Sequence, residues 1–350
     1  MPKVAIIGTT TWGVTLGVVL ARKGLEVRLW ARTEKEASKL RNKGPDPHLL
    51  PGVTFSSQLS VTSSVGEALA NVNAVILVVP SQSMRQNMLS VKSYLNKSVL
   101  VVSAAKGLEI GSNKRMSEVI ADEIDPRFKP NICVLSGPNL YKEILHGLPA
   151  SAVVAAKDGA VARQAQKLLT TPNFCVYTNS DVIGVELGGA LKNIIALGAG
   201  MVDGLGYGDN AKAAFVTRGL TEMAALGVAL GASPLTLSGL AGLGDLVATC
   251  ASPLSRNHYV GVELIRGRSL EEITASMVSV AEGVSTTVAV WNIAQQLGLE
   301  MPITEKIYQV LYNGVEPRQA IVELLGAGGK HELAGRRWKL FSFFRPRGHS

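Results

Sequence analysis

The stretch from Val4 to Thr33, VAIIGTTTWGVTLGVVLARKGLEVRLWART, restricts the fold more than any other part of the chain. A β-branched apolar run enters a glycine at position 8, helical spacing follows over residues 14–22, and a second β-branched run occupies 27–30. Strand, tight turn, helix and strand in this order make a βαβ unit, which sets two strands parallel and lays the helix across one face. The alternation continues with apolar runs at 74–79, 99–102 and 132–135, and with helical spacing at 34–42 and 114–124. Such nearly continuous apolar runs belong to strands covered on both faces. The expected class is α/β, with a Rossmann-type doubly wound sheet.

Two further apolar runs, 152–156 and 174–177, flank the helical GAVARQAQKLLT and extend the same sheet. From Asp181 onward the pattern becomes helix after helix with glycine-rich joints. The expected organisation is a sheet domain over 1–181, an all-helical domain over 182–329 and a basic, aromatic tail over 330–350.

Composition excludes several classes. A chain of 350 residues with 47% apolar and 18% charged residues is globular rather than disordered. Cys133, Cys175 and Cys250 lie far apart without a C-x-x-C pair and read as small buried hydrophobes in a reducing compartment. No His, Cys or Asp cluster has ligand spacing, so no metal is expected. The N-terminus lacks the order of basic, apolar and cleavage regions that marks a secretory signal. Residues 223–244 are uncharged and as long as a membrane span, but Gly227, Gly231, Pro234, Gly239 and Gly242 interrupt them. They read as packed helices joined by a turn, with no transmembrane segment. Much of the net charge of +8 sits in the tail, and the other basic residues are dispersed. That pattern suits small phosphorylated ligands and not nucleic acid. The tail carries Trp338, Phe341, Phe343 and Phe344 among basic residues and reads as a frayed extension, with a membrane-surface or partner contact as the alternative.

The segment GTTTWG at 8–13 nearly matches the G-x-G-x-x-G fingerprint of dinucleotide binding. Gly8 permits the tight turn, Gly13 permits close packing of helix on strand, and the helix start offers unpaired N–H groups to a pyrophosphate. Thr10 stands at the middle glycine and adds a Cβ where the pyrophosphate approaches the backbone. The hydroxyls of Thr9, Thr10 and Thr11 offer phosphate hydrogen bonds in partial compensation, so weaker or displaced cofactor binding is expected. After the second strand, LWART places Arg32 where an NAD-preferring site carries Asp or Glu. A guanidinium fork suits a 2'-phosphate, which makes NADP(H) the expected preference and NAD(H) the alternative.

The loop is joined by VVPSQSMR, AAKGLE, LSGPNLYKEILHGLPAS, VELGGALKNIIALGAGMVDGLGYGDNAKAAFVTRGLTEM, GLAGLGDLVATC, SRN and VAEGVSTT. In this order, over residues 3–315, these resemble the bacterial NAD(P)-dependent glycerol-3-phosphate dehydrogenase family. The resemblance implies a Rossmann domain followed by a helical domain with the site between them. It also implies a cytoplasmic enzyme that interconverts dihydroxyacetone phosphate and sn-glycerol 3-phosphate, the entry to glycerophospholipid synthesis. Members often form dimers, so a homodimer is expected. Carried over by motif, Thr11, Trp12, Arg32 and Lys106 fall to the cofactor, with Lys106 also reaching substrate. Gly137 falls to the substrate through its backbone, Lys192 to acid/base catalysis, and Asp245, Ser255, Arg256 and Asn257 to the substrate. Val280 and Glu282 fall at the cofactor's edge, where Arg256 also reaches.

These residue types suit a reversible ketone reduction, which needs a proton donor or cation at the carbonyl oxygen and an anchor for the phosphate. Lys192 can protonate that oxygen and Lys106 can add a second charge; two close lysines would lower each other's pKa. Asp245 can orient Lys192 or accept a substrate hydroxyl, and Ser255 is the expected cap of the helix that brings in Arg256 and Asn257. Asn139 stands where the family often has serine, keeping a substrate role, and the larger Tyr141 replaces a common alanine beside the nicotinamide pocket. His146 and His258, without an acid at a telling spacing, read as surface or packing residues. Two alternatives to the implied activity are a weakly active or inactive phosphate-binding member and a β-hydroxyacid or ketopantoate-type reductase; SRN argues against the latter.

Overall fold

A computed structural model describes residues 2–96 and 99–326. The tail at 330–350 lies outside the described residues, and so does its reading as a frayed extension.

Eight strands form one sheet in the order β3-β2-β1-β4-β5-β6-β7-β8: β1 Lys3–Ile7, β2 Glu26–Trp30, β3 Leu59–Thr62, β4 Ala74–Leu77, β5 Leu100–Ser103, β6 Ile132–Ser136, β7 Ala150–Ala155 and β8 Phe174–Asn179. The first six are parallel, β7 turns antiparallel to β6, and β8 runs parallel to β7. Side-chain alternation explains the unbroken apolar runs. Val4, Ile6, Val27, Leu29 and Ile76 enter the core on one face, whereas Ala5, Ile7, Val75, Leu77 and Val101 enter the core on the other. The fold class read from the chain is the one observed. The sequence reading missed β3, whose four residues, LSVT, alternate only briefly and leave Ser60 exposed.

Helices α1 Thr11–Arg22, α2 Glu34–Lys43, α3 Val65–Leu69, α4 Met84–Val91, α5 Met116–Glu123, α6 Tyr141–Leu145 and α7 Gly159–Leu169 cover the sheet. After β8 every element is helical: α8 Val182–Gly204, α9 Gly208–Ala229, α10 Pro234–Leu237, α11 Asp245–Ala251, α12 Arg256–Ile265, α13 Leu270–Ser276, α14 Glu282–Leu297, α15 Pro302–Tyr312 and α16 Pro317–Gly326. The hub is α8, buried along most of its length and packed against α9, α11, α12, α14 and α15. Its Gly200 lies so close to α12 that an added Cβ would overlap the His258 carbonyl.

Two helical stretches have the length and apolarity of a membrane span, Val182–Gly204 and Pro234–Ala251; the first is 89% buried inside the protein. The uncharged run 223–244 is split between the end of α9, a turn, α10 and the π-helical turn Leu240–Gly244. Cys133 and Cys250 are buried, but Cys175 is exposed, contrary to expectation. It lies on β8, the last strand of the sheet, which buries Phe174 and Val176 and turns Cys175 between them outward.

Two buried carboxylates tie the helical part to the sheet. Glu186 of α8 accepts from the Arg115 guanidinium at 2.6 Å and from the Ser117 N–H and hydroxyl at 2.7 and 2.6 Å. Glu282, the first residue of α14, accepts from the Ser81 N–H at 2.9 Å and its hydroxyl at 2.5 Å. Burial raises both carboxyl pKa values, opposed by these donors. The ties join the two parts of the fold that wall a cleft.

Candidate active site

The cleft has a volume of about 590 Å³ and opens at the C-terminal ends of β1, β2, β4 and β5, with α8, α12 and the start of α14 opposite. Chain order reverses between β1 and β4, which leaves a crevice where α/β sheets receive ligands.

The turn after β1 shows what the missing glycine costs. Gly8 has φ of +114°, and a Cβ there would lie 2.6 Å from the Val78 carbonyl oxygen. A Cβ on Gly13 would overlap the Gly8 carbonyl. Thr10 has ordinary extended angles, φ −61° and ψ 160°, and is the N-cap of α1. Its hydroxyl accepts from the Gly13 N–H at 3.1 Å and donates to the Val78 carbonyl at 2.9 Å. That proton is engaged by the Val78 carbonyl rather than left for a phosphate. Thr9 is committed too, because its hydroxyl donates to Glu36 of α2. Among the described residues, the Thr11 hydroxyl and the N–H groups of Thr11 and Trp12 at the helix start make no hydrogen bond.

A buried ionic cluster occupies the inner end. Lys192 projects from α8, and Asp245 opens α11 directly after the π-helical turn Leu240–Gly244. Lys192 Nζ donates to Asp245 Oδ1 at 2.5 Å and to Thr249 Oγ1 at 2.7 Å. Lys106 Nζ, from the end of β5, donates to Asp245 Oδ2 at 2.6 Å and to the Gly137 carbonyl at 2.8 Å. Each ammonium has three N–H bonds, so each keeps one for the cleft that both lysines line. Burial pushes the Lys192 ammonium down to about 8; Asp245 opposes the fall and Lys106 adds to it. Mutual repulsion of the lysines is thus a minor cause beside desolvation.

Asp245 is 1% exposed and does not line the cleft. Both its oxygens accept from lysines, which places it to position them. Gly137 likewise sits behind the wall and offers its carbonyl to Lys106. Ser255 caps α12 by accepting from the His258 N–H at 3.2 Å. Arg256 opens that helix and makes no hydrogen bond among the described residues, leaving its guanidinium to the cleft. Desolvation by the surrounding walls lowers its pKa.

Asn257 donates to Asn193 Oδ1 at 2.9 Å and accepts from the Gly283 N–H at 2.9 Å. Asn193 in turn donates to the Lys106 carbonyl at 3.3 Å. This amide chain joins α14, α12 and α8 to the β5 end; Asn193 in it, Thr249 beside Lys192, and Glu36 and Lys39 of α2 at the other end of the cleft are lining residues that the motif reading passed over. LKN does mark Asn193 as the residue after the lysine, one helix step away. Asn139, Tyr141, Val280 and Glu282 line the cleft. Both amide atoms of Asn139 are buried without a partner, and Glu282 is committed to Ser81. His258 corrects the reading of an unpartnered histidine, since its Nε2 lies 2.7 Å from Asp203 Oδ2 on the neighbouring α8. His146 remains at the surface.

Free N–H groups at a helix start, an orphaned amide and unpaired cations along one cleft fit a dinucleotide beside a small phosphorylated carbonyl compound. Fold and cleft together define a two-domain, dinucleotide-dependent dehydrogenase.

The family model described as NAD-dependent glycerol-3-phosphate dehydrogenase N-terminus matches residues 3–162, and the corresponding C-terminus model matches 181–322. A glycerol-3-phosphate dehydrogenase (NAD(P)+) of Dehalococcoides mccartyi is 61% identical over 348 residues, covering 99% of this chain and 97% of its own. That of Geobacter metallireducens is 46% identical over 330 residues, covering 94% and 98%. The crystal structure of glycerol-3-phosphate dehydrogenase from Coxiella burnetii superposes with a TM-score of 0.87 at 35% identity, covering 93% of this chain and 98% of the other. The chain belongs to the NAD-dependent glycerol-3-phosphate dehydrogenase family.

Proposed function

We infer that the protein reduces dihydroxyacetone phosphate to sn-glycerol 3-phosphate with NAD(P)H, reversibly, and supplies glycerophospholipid synthesis. The observation that carries the reading is the Lys192–Asp245–Lys106 cluster, with one N–H of each ammonium left for a carbonyl oxygen. Bound in the cleft, the nicotinamide supplies the hydride to the carbonyl carbon. Lys192 gives its free proton to the carbonyl oxygen, and Lys106 holds the developing charge. With a pKa of about 8, Lys192 is mostly protonated at neutral pH and takes the proton back in the reverse direction. Asp245 keeps both ammoniums in place and Thr249 fixes the direction of Lys192.

Arg256 and the first N–H groups of α12 anchor the substrate phosphate, with Asn139 beside it; Gly137 supports Lys106 from behind the wall, and Asn257 and Ser255 hold that helix start in place. Thr11, Trp12, Gly8 and Gly13 shape the pyrophosphate turn, and Tyr141, Val280 and Glu282 border the cofactor. NADP(H) is the preferred cofactor, supported by the unpaired Arg32 at the cleft's outer end. The division at residue 181 belongs to this reading and is supported by the end of β8 at Asn179 and the start of α8 at Val182. A cytoplasmic location and a homodimer rest on the family alone.

The test is oxidation of NADPH and NADH by purified protein with dihydroxyacetone phosphate, alongside direct titration of each cofactor. Turnover with NADPH preferred is expected. Cofactor binding without turnover would overturn the substrate, and no cofactor binding would overturn the site.

A further inference from the structure

The outer end of the cleft carries opposite charges on one wall. Arg32 follows β2, and Glu36, Lys39 and Leu40 face the cleft from α2 at the spacing of one helix face. Arg32 and Lys39 are exposed and make no hydrogen bond or ion pair among the described residues. Glu36 is held from the phosphate turn, where the Thr9 hydroxyl donates to Oε1 and Oε2 has no partner among the described residues. Thr33 fixes the helix start by accepting from the Glu36 N–H at 3.2 Å.

A wall with two free cations and one restrained carboxylate is neither an NADH wall nor an NADPH wall. A dinucleotide's 2'-hydroxyl is a donor that a carboxylate accepts, whereas a 2'-phosphate is a dianion that cations bind and a carboxylate repels. We propose that Lys39 and Glu36 are opposed specificity determinants of the cofactor site. Lys39 joins Arg32 on the 2'-phosphate of NADPH, Glu36 accepts from the 2'-hydroxyl of NADH, and Thr9 holds Glu36 aside far enough for either cofactor to enter. This rests on the proposed cofactor reading and adds two residues to it. Lys35 and Lys43 of α2, also without an ion pair among the described residues, add positive potential at the same corner.

The experiment titrates NADPH, NADH, 2',5'-ADP and 5'-AMP into the wild type, Lys39→Ala, Lys39→Arg and Glu36→Gln. Lys39→Ala is expected to weaken NADPH and 2',5'-ADP about fivefold, leave NADH and 5'-AMP within about twofold, and lose the difference at high salt. Lys39→Arg restores the wild-type ratio. Glu36→Gln keeps an acceptor for Thr9 but drops the charge, so NADPH tightens and NADH weakens, each about threefold. Equal changes for both cofactors in either variant would overturn the proposal. Failure of the wild type to bind either cofactor would instead overturn the cofactor reading itself.

Discussion

Replacing Asp245 by Asn tests whether this buried carboxylate acts through charge. Wild-type Lys192 sits near pKa 8 because burial lowers it and Asp245 opposes the fall. An opposite charge in hydrogen-bond contact shifts a pKa by about 1–3, so without it Lys192 drops to about 6. Reduction requires the protonated ammonium. At pH 6 the protonated fraction falls only about twofold, and at pH 8 it falls about fiftyfold. The rate of dihydroxyacetone phosphate reduction in Asp245→Asn should therefore lose ground to the wild type as pH rises. The assay is kcat against pH for both proteins, with NADPH affinity as the control, since Asp245 does not line the cleft. Stability moves the other way. The variant leaves two ammoniums facing each other, so it is most destabilised where Lys192 is charged and recovers as pH rises through the lowered pKa. A deficit of constant size across the whole pH range would refute the charge argument and leave Asp245 a merely steric support.

Arg256→Ala should raise the KM for dihydroxyacetone phosphate about 10- to 100-fold, because a charge-assisted phosphate contact is worth about 1.5–3 kcal/mol; initial-rate kinetics decide it. Thr10→Gly should lower unfolding free energy by about 1–2 kcal/mol through loss of the α1 cap and the Val78 bond, and Thr10→Ser should recover most of it, as read by urea melts. Asn257→Asp cannot donate to Asn193 and sets a carboxylate against a carbonyl, so it should cost about 2–3 kcal/mol and loosen α12. Unchanged melting would remove the amide chain from the account.

What was legible in the sequence follows from how local each signal is. The strands β1, β2, β4 and β5 announce themselves because both faces of the sheet are covered, so apolar residues, those at 4–7, 27, 29, 30, 74–77 and 100–102, dominate them. The strand β3 has too few residues to show its alternation. Lysines 106 and 192 stand out as motif residues, but their meeting at Asp245 spans 139 and 53 positions and no spacing rule reaches that far. The pairing of His258 with Asp203 escapes for the same reason, since two helices must first be packed before the acid is beside the ring.

The broken fingerprint shows where a residue rule stops being physics. The middle glycine is wanted for two separable reasons, an unusual backbone angle and room for the pyrophosphate. At Thr10 the first does not arise, because φ is −61°. The second depends on where the side chain is sent, and here it is tied between the Gly13 N–H and the Val78 carbonyl. Gly8 has no such freedom, with φ of +114° and a carbonyl 2.6 Å from any Cβ. The rule therefore treats as equal two positions of unequal constraint. Gly8→Ala should abolish cofactor binding and cost at least about 2 kcal/mol, whereas threonine at position 10 turns space reserved for a ligand into a helix cap and leaves Thr11 and Trp12 to meet the phosphate.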